Sequence, residues 1–107
     1  MTITQIRPSS TDTSAIASSL MQEAYEDARP FLQAAVELAF ACFPNIRDVS
    51  LSRESDPETG EHWSELHLRI ECSVDQAVES SAQFSDRWVA AVPWPDHHLI
   101  LLSCDLI

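Results

Sequence analysis

A chain of 107 residues with 45% hydrophobic side chains has the length of one domain and enough apolar surface to bury a core without disulfides or a metal. Seventeen acidic residues stand against six basic ones, all arginine, and the net charge of −11 argues against nucleic acid and anionic membrane as partners. The only glycine, Gly60, leaves no glycine-rich phosphate loop, and no apolar run reaches the ~18–20 residues of a membrane helix. The opening residues lack the apolar segment of a secretory signal, so the cytoplasm is the expected location.

Residues 1–13 mix Thr, Ser, Pro and Asp without periodicity and read as a mobile arm; residues 14–107 read as a single α+β domain. Asp12 or Thr13 can cap a first helix in which Ile16, Leu20, Ala24 and Ala28 recur every four residues. Pro30 ends or kinks it, and a second helix over Phe31 to Phe43 is apolar on nearly every side, which requires burial on most sides. Whether 14–43 makes one kinked helix or two is left open by the pattern.

The period then changes to two. Val49 and Leu51 alternate with Asp48, Ser50 and Ser52 in a first strand, and Asp56-Pro57-Glu58-Thr59-Gly60 has the chemistry of a hairpin loop closed by a residue with positive φ. In the second strand, Trp63 to Ser73, Leu66, Leu68, Ile70 and Cys72 face one way and Glu65, His67, Arg69 and Glu71 the other. Ser73 or Asp75 caps a third helix whose apolar stripe runs Val74, Ala77, Val78, Ser81, Phe84, Trp88, Val89, Val92; Pro93-Trp94-Pro95 ends it. Leu99 to Ile107 completes the chain as a strand expected to be buried on both faces. The expected architecture is therefore two N-terminal helices followed by β-β-α-β, with a small three-stranded mixed sheet of order 2-1-3 packed on helices.

No constellation in this order has the spacing of a cofactor site, and no cofactor or metal is expected. His97 and His98 are adjacent and would point to opposite sides of an extended chain, as would His62 and His67, five residues apart. Cys42, Cys72 and Cys104 each sit in apolar segments, where free cysteine behaves as a small hydrophobe; a Cys104 nucleophile served by His97 or His98 is the competing assignment. The acids at the hairpin, Glu58 and Glu61 among them, form a negative knob that is either a solvated loop tip or a docking point for a basic partner. The polar strand face of Glu65, His67 and Arg69, with Trp63 at its end, is either a solvated sheet face or a floor for a ligand or protein. Trp94, stiffened by prolines on both sides, is either a core cap or an aromatic anchor.

These features together point to a non-catalytic protein–protein interaction module, with Trp94, Trp63, Glu65, His67, Arg69, Glu58 and Glu61 as binding residues. Its expected partner is a second copy in a homodimer or a basic protein, the latter in an antitoxin- or immunity-like role. The alternative is a small-molecule-binding α+β enzyme with its pocket between the sheet and the N-terminal helices, served by Glu65, His67 and Arg69.

Overall fold

The computed structural model describes residues 4–6, 12–92 and 96–107. The elements run β1 (Thr4–Ile6), α1 (Thr13–Leu20), α2 (Arg29–Cys42), β2 (Ile46–Ser55), β3 (His62–Ile70), α3 (Val74–Ala91) and β4 (Ile100–Leu106). The four strands form one sheet in the order β1-β2-β3-β4. The fold is α+β, and the sheet is mixed: β1 pairs antiparallel with β2 and β2 with β3, while β4 lies parallel to β3 across the α3 crossover.

Two expectations about the sheet are corrected. The strands β2, β3 and β4 stand in chain order rather than as 2-1-3, because the outer edge of β2 is taken by β1, which leaves β4 the free edge of β3. That same pairing places Thr4–Ile6, within the segment read as an arm, in a strand. The last strand is not buried on both faces: Ile100 is buried, but Leu101 and Leu106 are exposed, because among the described residues β4 is an edge with no layer over its far side.

The packing follows from the two-residue period of the hairpin. In the β2–β3 register, Val49 lies opposite Leu68 and Leu51 opposite Leu66, and all four are buried. A bulge at Arg47 brings Ile46 opposite Ile70 on that same face. Leu20, Leu32, Ala35, Val36, Ala39, Phe84 and Trp88 from the three helices join these strand residues in one core. Every helix therefore packs on one face of the sheet. The helix α2 sits between α1 and α3, which explains its nearly all-round apolar character.

The chain between α1 and α2 does not run helically to Pro30, as the four-residue repeat suggested. It breaks earlier, at Ala24 and Tyr25, both extended, between two short 3₁₀ turns; Pro30 sits in the first turn of α2. The break is held by distant residues. Arg53 donates to the carbonyls of Gln22, Glu23 and Ala24 at 3.0–3.3 Å and its guanidinium lies 5.5 Å from the centre of the Tyr25 ring. The Tyr25 N–H donates to the fully buried Ser64 Oγ at 2.9 Å. The residues 14–43 thus make two separate helices. The caps are Asp12, which accepts from the Ala15 N–H, and Ser73, which accepts from the Gln76 N–H.

One-sided packing has a measurable consequence. Leu68→Ala, on the covered face, is expected to lower the unfolding free energy by about 2–5 kcal/mol, and Glu65→Ala, three residues away on the other face, by less than about 1 kcal/mol. Urea denaturation of the two variants checks this; equal losses would contradict it.

Candidate functional site

The second face of the sheet carries no helix among the described residues. The register that buries Leu66 and Leu68 brings Asp48 opposite Arg69, Ser50 opposite His67, Ser52 opposite Glu65 and Glu54 opposite Trp63. From β4, Leu101, Ser103 and Asp105 stand beside Glu65, His67 and Arg69. The expected polar strand face is therefore assembled as a sheet-wide surface. It lies opposite the N-terminal helices, so Glu65, His67 and Arg69 face away from the space where the enzyme alternative expected a pocket, and that space is filled by the core.

The side chains on this face are tied to one another. Arg69 Nη1 donates to Asp48 Oδ2 at 3.1 Å, with the Asp48 carboxylate nearly buried and Arg69 about half exposed. Ser52, 1% exposed, donates from Oγ to Glu54 Oε2 at 2.9 Å and lies 2.7 Å from His67 Nε2. His67 Nε2 also stands 3.5 Å from Glu65 Oε2. A consistent assignment places a proton on Nε2 that is donated to the Ser52 oxygen, while the hydroxyl proton goes to Glu54. A serine, a histidine and a carboxylate this close resemble an acyl-transfer constellation, but the geometry is wrong for one. Glu65 approaches the same ring nitrogen as Ser52, so it does not orient the imidazole from the far side, and Ser52 is closed to a substrate carbonyl. The network fixes the surface rather than activating a nucleophile.

The hairpin has the expected form. Asp56 N–H donates to the Glu61 carbonyl and Gly60 N–H to the Asp56 carbonyl, both at 2.8 Å, and Gly60 has φ 77°. Space for a side chain exists at Gly60, so glycine is required there by the dihedral alone. Glu58 and Glu61 are exposed at the tip. Glu71, placed on the polar strand face, lies just past β3 and pairs with Arg47 at 2.8 Å. Trp63, half-buried at the start of β3, has its indole N–H buried without a hydrogen-bond partner among the described residues. Trp94 falls in residues 93–95, outside the described residues.

The histidines separate as expected at one pair and not at the other. His67 lies on the polar face, while His62 bonds Asp27 Oδ2 at 2.8 Å and packs on Tyr25 with ring centres 4.4 Å apart. His97 and His98 do not diverge: a 3₁₀ turn, Asp96–Leu99, replaces the extended chain and brings their rings to 4.1 Å. No group of three or more His, Cys, Asp or Glu able to hold a metal forms among the described residues. Sequence reasoning counted Glu54 among the acids of the hairpin tip and missed its place on the sheet face, bonded to Ser52. It also missed an open cleft of about 680 Å³ where Asp27, Glu61, His62, Trp63 and His98 converge beside Leu99 and Leu101. Its members come from four segments with no common spacing.

Cys42 is buried in the core. Cys104 faces the helices beside Ser81, and burial, reinforced by Asp105, pushes its thiol above the ordinary range although Ser81 pulls the other way. The thiol therefore stays protonated at neutral pH, against a nucleophilic role. Alkylation of Cys104 by iodoacetamide at pH 7 is expected to be on the order of tenfold slower than that of free cysteine and to rise only in alkaline solution. Peptide-resolved mass spectrometry reads the rate; a rate matching the free amino acid would contradict the assignment.

Compared with protein-family models, with curated proteins and with solved structures, the chain matches none. No described helix is long and apolar enough to cross a membrane.

Proposed function

We propose that the chain is a non-catalytic protein–protein interaction module that offers its uncovered sheet face and hairpin tip to a basic protein. The observation that carries the reading is the one-sided sheet itself: a polar surface laid across β2, β3 and β4, held in place by its own hydrogen bonds, with no layer over it among the described residues. A preformed surface loses little conformational entropy when it binds.

Charge selects the partner. Asp48, Glu54, Glu65 and Asp105 lie on this face, and Asp56, Glu58 and Glu61 continue it at the hairpin. Arg69 offsets Asp48 on this face, which leaves Glu54, Glu65, Asp105 and the hairpin acids in excess. Arg29 bonds the Met21 carbonyl, Arg53 the carbonyls after α1, Arg47 pairs with Glu71 and Arg69 with Asp48. A negative surface of this kind steers a basic partner and holds it in a salt-dependent way. Trp63 adds a flat aromatic group on which an arginine of the partner can stack. An antitoxin- or immunity-like protein, which covers the basic nucleic-acid-binding surface of another protein, is the specific form of this function.

An arginine-rich peptide is a direct probe. Its binding, followed by calorimetry, is expected to weaken as salt rises from about 50 to about 300 mM. The triple variant Glu58→Gln, Glu61→Gln, Glu65→Gln is expected to weaken it by roughly tenfold, about 0.5 kcal/mol for each charge. Binding indifferent to these changes, or absent at low salt, would overturn the reading.

A further inference from the structure

The third helix exposes more apolar surface than the core uses. Of the stripe read as buried, Ala77, Phe84, Trp88 and Val92 do face the core, but Val74 and Val78 are each 65% exposed and Val89 is 50% exposed. The other large hydrophobic side chains exposed among the described residues are Leu101, Leu106 and Ile107, on β4 and directly after it. All of them gather on two elements.

Those elements are neighbours. Ser81, Ser85 and Val89 of α3 line an open groove of about 420 Å³ together with Ile100, Leu101 and Leu102 of β4. Beside it runs the outer edge of β4, which has β3 on one side and no strand on the other among the described residues. A seven-residue edge that is neither bulged, capped by proline nor guarded by lysine is a ready template for another strand. Val78, Ser81, Ser85 and Val89 on the helix and Ile100 to Cys104 on the strand carry no charge, in a chain with 17 acids; His97 and His98 line one end of the groove and Asp105 stands near the end of the strand.

We propose that this strip is the contact between two copies of the chain, with β4 antiparallel to the partner's β4 and α3 antiparallel to the partner's α3. Two observations favour a second copy over any other occupant. First, the helix stripe is its own complement. Val78 and Val89 are placed almost symmetrically about the midpoint of Ser81 and Ser85, so a two-fold axis there sets Val78 against the partner's Val89 and Ser81 against the partner's Ser85. The small serines let the helix backbones approach at the centre while the valines close over the ends. Second, two chains of charge −11 repel wherever their acidic surfaces meet, so an uncharged strip is where identical copies can associate, whereas a basic partner is drawn to the acidic face. The axis stands perpendicular to the sheet, so pairing yields one eight-stranded sheet with all helices on one side and two polar faces joined on the other.

The test is the solution mass by light scattering at about 100 μM chain, a concentration at which micromolar dimers are well populated. The expected mass is twice 12.0 kDa, unchanged in about 1 M salt, since apolar burial is not screened. The double variant Val78→Glu, Val89→Glu is expected to keep its helical circular dichroism, both sites being exposed, and to raise the dimer dissociation constant by at least about tenfold. Leu101→Lys, which guards the strand edge without touching the helix, is expected to act in the same direction and serves if the double variant misfolds. A monomeric wild type, or a dimer indifferent to both variants, would overturn the proposal. The two readings separate cleanly: the Val78→Glu, Val89→Glu variant, altered only on α3, still binds the arginine-rich peptide, and the acid-to-amide triple variant still dimerises; Leu101→Lys, which stands beside Glu65 on the sheet face, is read by mass alone.

Discussion

The alternation of side chains along β3 is the constraint on which the rest depends. A strand turns successive residues to opposite faces, so burying Leu66, Leu68 and Ile70 under the helices obliges Glu65, His67 and Arg69 to stand together on the other side. The antiparallel partner β2 obeys the same rule and contributes Val49 and Leu51 to one face and Asp48, Ser50 and Ser52 to the other. A slip of one residue would bury two charges and a histidine and expose three core side chains, which fixes the register. The candidate surface is thus the complement of the core, and neither can change without the other.

Because the polar face is set by the same ladder that makes the core, its side chains start from fixed positions. They then find partners across the strands: Arg69 with Asp48, His67 with Ser52, Ser52 with Glu54. Such pairs on a half-exposed surface contribute little to stability. Their effect is on geometry, since a carboxylate held by a neighbour presents its remaining lone pairs in fixed directions. The same network explains why proximity of a serine, a histidine and carboxylates does not form a catalytic triad at this cluster: each of these groups is engaged with another, and the serine is enclosed.

Local pattern made much of this legible. The hairpin with Gly60 at positive φ, the caps Asp12 and Ser73, the faces of β3 and the parallel return of the last strand all follow from spacing within a few residues. What was not legible depends on distant partners. The break at Ala24 and Tyr25 is set by Arg53 and Ser64, about 30–40 residues further on. The strand Thr4–Ile6 has no pattern of its own and exists through pairing with β2, and by occupying that edge it decides the strand order. The apolar stripe of α3 announced a buried face correctly but not its width, and the excess is Val74, Val78 and Val89. At the candidate site, Trp63, Glu65, His67 and Arg69 come to one surface and Glu58 and Glu61 to the adjoining tip, because strand and hairpin rules are local. The bond of Glu54 to Ser52 and the cleft at the hairpin base required the tertiary fold.

Mapping the arginine-rich peptide onto the protein by NMR tests whether the uncovered sheet face is the working surface. Titration is predicted to shift the resonances of Glu65 and His67 together with the indole N–H of Trp63, and to leave those of α1, α2 and Trp88 in place. Shifts centred on the helices, with β3 unmoved, would contradict the account.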